Sequence, residues 1–176
     1  NPKAILTGNP LRKEIIDSVK PSQHSGVSIL VTGGNQGSHT INLAVEGSLD
    51  KLTEIASIIH VTGDNKFKDF ERLEKLQQER YIVKKWIGEG WGRILKQADL
   101  VVSRAGINTL SELAYLSLPA LVIPIPYLYL DEQNKNAEFF KRLGLAKIKA
   151  KEAKKIIIPD AANRIALETL LLLRKD

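Results

Sequence analysis

The stretch Ser103-Arg-Ala-Gly-Ile-Asn-Thr-Leu-Ser-Glu112 joins an apolar run, Ala98 to Val102, to an amphipathic one, Leu110 to Leu116. Strand, glycine turn and helix start in that order aim unpaired backbone N–H groups, and the positive end of a helix dipole, at the mouth of a sheet. Phosphate suits such a place. Glu112, in the helix that follows, brings a carboxylate able to accept hydrogen bonds from the paired hydroxyls of a ribose. Anion donors beside a diol acceptor point to a nucleotide. The same residues also read as a T-x-x-E capping box, with Glu112 tied back to the Thr109 N–H. This stretch alone leaves the two readings even.

Other loops offer matching chemistry. Gly33-Gly-Asn-Gln-Gly37 has glycines that let backbone approach an anion, without the G-x-G-x-x-G spacing; alternatively it is a tight turn with Asn35 or Ser38 as helix cap. Two glycine turns facing one cleft suit a diphosphate better than a single phosphate. Trp86-Ile87 places an aromatic ring where it can cover a base and an extended backbone where it can pair with the base edge; the alternative is core packing. Asp131-Glu-Gln-Asn-Lys-Asn136 presents amides for sugar hydroxyls, or else a helix capped by Asp131. Arg12 is an anion clamp or an exposed charge. Asp64 stands near where a dinucleotide enzyme holds its ribose, but the spacing is long and a turn role fits better.

The elements that must position these groups alternate along the chain. Strands are expected at Val27 to Thr32, Ile55 to Thr62, Tyr81 to Ile87, Ala98 to Val102 and Pro119 to Ile125, with an edge strand at Leu145 to Lys149. Between them fall helices at Thr40 to Leu52, Phe67 to Glu79 (apolar face Phe67, Phe70, Leu73, Leu76), Trp91 to Gln97 and Glu132 to Leu143. The fourth of these closes on Gly144, and a last helix starts near Asp160. That order predicts right-handed βαβ crossovers and one parallel sheet covered on both faces. Ligands then bind outside the carboxyl ends of the strands, where strand order reverses, and all the loops named lie on that edge.

Composition narrows the function classes. At 176 residues the chain suits one domain: residues 1–20 read as a linker-like leading segment and residues 21–176 as the domain. The start at Asn1 inside that segment is the expected look of one piece of a larger protein. No run is apolar enough for a membrane span and no signal peptide is visible, which predicts a cytosolic chain. With no cysteine and only His24, His39 and His60, thiol chemistry and a multi-histidine metal centre drop out. A net charge of +6 favours an anionic partner. The basic stretch Lys147 to Lys155 lacks interleaved aromatics, so nucleic acid is not expected.

Taken together, Thr7-Gly-Asn-Pro-Leu-Arg12, Gly33-Gly-Asn-Gln-Gly37, Arg104-Ala-Gly-Ile-Asn-Thr-Leu-Ser-Glu112 and Asp131-Glu-Gln-Asn-Lys-Asn-Ala137 resemble, in order and spacing, the carboxyl-terminal domain of the MurG family, bacterial N-acetylglucosaminyltransferases of glycosyltransferase family 28. The likeness covers nearly the whole chain. It implies an α/β fold, a single Rossmann-like doubly wound parallel sheet forming one half of a GT-B glycosyltransferase. It also implies a UDP-N-acetylglucosamine site without cofactor or metal. Residue by residue, Ile87 would pair with uracil while Trp86 caps the ring, and Glu112 would take the ribose hydroxyls. Gly34, Asn35 and Gln36, with Ile107, Asn108, Thr109 and Arg12, would face the diphosphate; Gln133, Asn134 and the backbone near Gly106 would meet the sugar. The implied reaction is inverting transfer to lipid I, giving lipid II for peptidoglycan, on the inner face of the cell membrane.

Departures from the family pattern fall at Asn35, His39, Ala105 and Asn134, where serine, arginine, serine, and glutamine or threonine are common. No catalytic residue is expected in this chain. The family's base and acceptor site lie in an amino-terminal domain to which nothing here corresponds, so donor binding without turnover is the expectation. Two alternatives stand beside it: a separate UDP-sugar-binding subunit working with an acceptor or membrane subunit, and an unrelated nucleotide- or NAD-binding module.

Overall fold

The computed structural model describes residues 9–17, 26–125, 131–144 and 147–148. Residues 1–8, the polar loop 18–25, the loop 126–130, most of the basic stretch and the helix expected from Asp160 lie outside the described residues.

Six strands form one sheet: β1 (Ser28–Thr32), β2 (Ser57–Val61), β3 (Tyr81–Lys84), β4 (Leu100–Ser103), β5 (Ala120–Val122) and β6 (Lys147–Ile148). Their spatial order is β3-β2-β1-β4-β5-β6, and every adjacent pair is parallel. The helices are α1 (Lys13–Ile16), α2 (His39–Glu46), α3 (Leu49–Ile55), α4 (Asp69–Leu73), α5 (Trp91–Lys96), α6 (Ile107–Tyr115) and α7 (Glu132–Arg142). Among the described residues no helix is long and apolar enough to cross a membrane.

Successive side chains of the strands point to opposite faces. Ile29, Val31, Leu100, Val102 and Leu121 pack with α2 and α3, whereas Leu30, Val101, Ala120 and Val122 pack with α5, α6 and α7. Both faces are therefore core over β1, β4 and β5, which read as apolar runs, whereas the edge strand β3 alternates buried Tyr81 and Val83 with exposed Ile82 and Lys84. Strand order reverses between β1 and β4, which opens a crevice at their carboxyl ends.

Several elements differ from their expected bounds. The helix expected over 40–52 is two helices, α2 and α3, broken at Gly47-Ser48, and α3 runs to Ile55, the expected start of β2. The charged helix over 67–79 shrinks to α4 and a 3₁₀ turn, Glu74–Leu76. On its expected apolar face Leu73 is buried, but Phe67 and Leu76 are exposed. Asp69 is instead drawn fully into the interior by side-chain donors, and this sets the start and facing of α4. Residues 9–17, within the leading segment, pack on the domain: Ile15 is wholly buried, and α1 lies so close to α5 that a Cβ on Gly92 would stand 2.8 Å from the Glu14 carbonyl oxygen.

Candidate functional site

The two glycine turns meet at the β1/β4 crevice. The turn after β1 is closed by Gly37 N–H donating to the Gly34 carbonyl at 2.9 Å. Gly34, Gly37 and Gly63 all have positive φ. A Cβ on Gly37 would strike the Thr62 carbonyl and one on Gly63 would strike Gly37, so the loops after β1 and β2 can touch only as glycines. This contact fixes the Asn35-Gln36 tip over the crevice.

The two helix starts are finished differently. Ser38 is the N-cap of α2, its hydroxyl accepting the Ile41 N–H at 3.2 Å. The N-cap of α6 is Gly106, which brings no side chain, so the first-turn N–H groups of Ile107, Asn108 and Thr109 have no cap from their own helix. Thr109 thus sits inside α6, and the capping box read from Thr109 and Glu112 does not form. Ser38, rather than Asn35, is the cap of the first turn.

The crevice is one continuous cleft. Its larger part, about 290 Å³, lies over both glycine turns and is lined by Gly33 to Gly37, Ser103, Arg104, Gly106, Thr109, Ile125 and Gln133. Its smaller part, about 80 Å³, is lined by Arg12, Val61, Trp86, Ile87 and Trp91. Thr32, Gly34, Asn35 and Thr109 line both. Trp86 is 60% exposed, so core packing does not explain it. Of the amide residues, Gln133 lines the cleft while its Oε1 accepts the Ile125 N–H at 2.9 Å. Asn134 donates to the Asp131 carboxylate and leaves a buried Oδ1 without a partner. Asp131 stands at the N-cap of α7 but makes no side-chain bond to the helix backbone, because its carboxylate turns to Asn134 instead.

Glu112 is almost fully buried. Its Oε2 accepts the Trp91 indole N–H at 2.9 Å and its Oε1 pairs with Arg12 Nε at 2.9 Å. The Arg12 guanidinium also lies over the Trp91 ring, 5.4 Å from its centroid. Arg12 is therefore neither a free surface charge nor already turned to the glycine loops. Asn9 extends the same contact, donating to Asn108 Oδ1 at 3.2 Å and Ser111 Oγ at 3.1 Å.

Among the cleft residues that were not singled out from the sequence, Arg104 and Trp91 carry chemistry. Arg104 lines the larger part with a buried Nε that has no partner, and burial pulls its pKa down from the usual guanidinium range. A guanidinium stays protonated through such a shift, and among the described residues no carboxylate pairs with it. Its signal was a basic residue next to a glycine turn at a strand end. Trp91 had no signal, since its bond to Glu112 spans two separate elements. Among the described residues no cluster of three or more His, Asp or Glu side chains could hold a metal.

Sheet order, crossover and cleft define a Rossmann-like α/β domain with a crevice at its switch point. Residues 28–168 match the glycosyltransferase family 28 C-terminal domain, and the chain belongs to that family. It is 37% identical over 148 residues, 78% of this chain and 39% of the relative, to the UDP-N-acetylglucosamine–N-acetylmuramyl-(pentapeptide) pyrophosphoryl-undecaprenol N-acetylglucosamine transferase of Psychromonas ingrahamii. The Geobacter sulfurreducens enzyme of the same name is 34% identical over 150 residues, 81% of this chain and 41% of that protein. The crystal structure of Acinetobacter baumannii MurG superposes with a TM-score of 0.67 at 25% identity, over 89% of this chain and 44% of that one. The resemblance read from the loop motifs is thereby borne out, and so is the fold class. The chain spans about two fifths of the length of these relatives.

Proposed function

We propose that this chain is the donor-binding half of an inverting N-acetylglucosaminyltransferase that takes the sugar from UDP-N-acetylglucosamine and gives it to lipid I, forming lipid II. The observation that carries the reading is the order of groups along the cleft. Trp86, Ile87 and Arg12 line the smaller part only, Gly34, Asn35 and Thr109 of the two glycine turns line both, and Arg104, Gly106 and Gln133 line the larger part only. Base, ribose, diphosphate and sugar follow one another in the same sequence in a nucleotide sugar.

In this reading the Trp86 ring covers uracil, Ile87 pairs with its edge through the backbone, and Glu112 receives the ribose hydroxyls. The diphosphate lies against Gly34, Asn35 and Gln36 and the uncapped start of α6 at Ile107, Asn108 and Thr109. Gln133, Asn134 and the backbone at Gly106 meet the sugar. The muramyl C4 hydroxyl attacks the anomeric carbon, the C1–O bond breaks, and its electron pair leaves with UDP. Backbone dipoles, Arg12 and Arg104 stabilise the charge that develops on the β-phosphate. The proton goes to a base in an amino-terminal domain, which also supplies the lipid site and, with the basic surface expected from a +6 chain, the approach to an anionic membrane from the cytoplasmic side.

Calorimetry with UDP, UDP-N-acetylglucosamine and NAD tests the donor. Heat with both uridine ligands and none with NAD is expected; the opposite pattern would sink the reading. Incubation of this chain with UDP-N-acetylglucosamine and a lipid I analogue should give no transfer. A rate near that of a two-domain enzyme would show that the base lies within these residues.

A further inference from the structure

Glu112 has an asymmetric pair of partners. Its Oε2 is held by an indole that is only 6% exposed, bridging α5 and α6 within the core. Its Oε1 is held by the side chain of Arg12, 49% exposed and carried by the leading segment. The indole cannot leave without opening the core. The guanidinium is the exposed member of the pair and can turn outward, but only if other donors take its place on the buried carboxylate. Glu112 does not itself line the cleft; Arg12 and Trp91 do, so a ribose reaches the carboxylate only past Arg12.

We propose that Trp91 is a fixed positioning arm for Glu112 and Arg12 an exchangeable one: the ribose hydroxyls take the place of Arg12, whose guanidinium passes to the neighbouring diphosphate. The proposal rests on UDP occupying the cleft as described above. A carboxylate has about four acceptor sites, and Arg12 and Trp91 fill two. One Oε1 position therefore exchanges an N–H donor for an O–H donor while Trp91 keeps the carboxylate from swinging. Gly34 and Asn35 line the same small cavity as Arg12, so the released cation has an anion within the same space. The cation that Glu112 gives up is the one that the diphosphate receives, and the ribose O–H donors take over the stabilisation of the buried carboxylate. Ribose capture and diphosphate capture thereby become one event, and uridine alone gains only half of it.

Trp86 and Trp91 are the only two tryptophans and both line this cavity, so intrinsic fluorescence reports the site directly. Uridine, UDP and 2′-deoxy-UDP are titrated into wild type, Arg12→Ala and Trp91→Phe. Arg12→Ala should bind uridine roughly tenfold more tightly and UDP more weakly, the first figure being the order of one hydrogen bond to a charged group. Unchanged or weaker uridine binding overturns the exchange. Wild type should prefer UDP over 2′-deoxy-UDP by on the order of tenfold, and Trp91→Phe should bring that ratio close to one. A retained ratio in folded Trp91→Phe overturns the positioning arm while leaving the nucleotide site intact. If Trp91→Phe does not fold, the opposite signs expected for uridine and UDP in Arg12→Ala still decide. Wild type that binds neither ligand fails the nucleotide reading itself, and the proposal with it.

Discussion

Asp69 and Glu112 are the two buried carboxylates among the described residues, and they differ in how many acceptor positions are filled. Asp69 receives His39 Nδ1 at 2.9 Å, Arg72 at 2.6 Å, Asn42 at 2.8 Å and Asn65 at 2.9 Å. It is saturated. Burial alone would raise its pKa, but the bonds from Asn42, Arg72, His39 and Asn65 outweigh burial and hold it below the usual 3.8. Glu112 receives two donors, one of them half exposed. A saturated buried carboxylate has nothing left to offer a ligand, so its role is to hold the fold. A half-filled one beside a cleft retains acceptors for use.

The network around Asp69 continues inward. Asn42 gives its amide N–H groups to Asp69 and the Thr62 carbonyl, so its Oδ1 must accept from His60 Nε2–H at 3.0 Å. His60 Nδ1 then accepts the Tyr81 hydroxyl at 2.8 Å. Desolvation lowers the His60 pKa to about 3 against a small opposing pull from Asp69, which makes the imidazole neutral in the fold.

The comparison breaks most visibly at Asp69. Asp69→Ala strands the buried Asn42 amide donor and removes one of the two carboxylates that hold Arg72, and should cost about 3 kcal/mol, the scale of a buried charge network that loses one member. Thermal melting should drop by roughly 10 °C, while UDP affinity of the folded protein stays as it was. A melting loss within 1 or 2 °C, on the order of a surface substitution, would mean the network is idle.

Acid should act on the same side of the comparison. Because the folded His60 pKa of about 3 lies below the unfolded 6.5, the unfolded chain takes up a proton that the fold refuses. Stability is then full above pH 6.5 and falls towards pH 3, by up to about 1.4 kcal/mol per pH unit. Asp69 adds its own loss only below its unfolded 3.8, since its folded pKa is depressed. Denaturation midpoints measured between pH 7 and pH 4 should decline in wild type and flatten in His60→Gln; parallel curves would acquit His60.

At Glu112 the signs reverse. Glu112→Ala is a poor probe, because it leaves the buried Trp91 indole N–H unpaired and lowers stability as well. Glu112→Gln keeps one acceptor for the indole. It should shift melting only slightly and weaken UDP roughly tenfold in calorimetry, the value of a charge-assisted bond made neutral. Equal UDP affinity in Gln and Glu forms would leave Glu112 a structural group like Asp69.

Much of this was legible in the sequence. The alternation of apolar runs with glycine turns gave away the parallel sheet because buried parallel strands have no polar face to confuse the pattern. The loops at the β1/β4 crevice were legible for the same reason: glycines at strand ends have few other uses. The short α4 was not, because its facing is dictated by Asp69, and a charged residue pulled inside by Asn42 and Arg72 looks like any surface acid in a linear reading. Glu112 contacts Arg12 and Trp91, which line the cleft, whereas the capping box that stood as its alternative reading does not form. A capping box depends on where a helix begins, and α6 begins at Ile107 rather than after Thr109. Trp91 and Arg12 come from elements far apart in sequence, and no spacing rule joins them to Glu112.

The cations repeat the contrast on a smaller scale. Arg72 is gripped by Asp69 and by Glu46 at 3.1 Å; burial opposes its charge, but those two carboxylates raise its pKa. Arg104 has a buried Nε with no partner, and its pKa falls. A cation held at a cleft without a counter-ion already carries its desolvation cost before any ligand arrives, so an anion that comes to it need not meet that cost again. Arg104→Gln should therefore leave melting within about 0.5 kcal/mol of wild type, or raise it, because an uncompensated charge is removed. UDP should weaken several-fold and uridine not at all, since the lost contact is to phosphate. Raising the salt should narrow the UDP difference between wild type and variant, although less than for an exposed arginine, because a buried charge is screened poorly. Equal weakening of UDP and uridine would instead mean that Arg104 shapes the β4 turn, and the unpaired guanidinium would then be only a strained part of the scaffold.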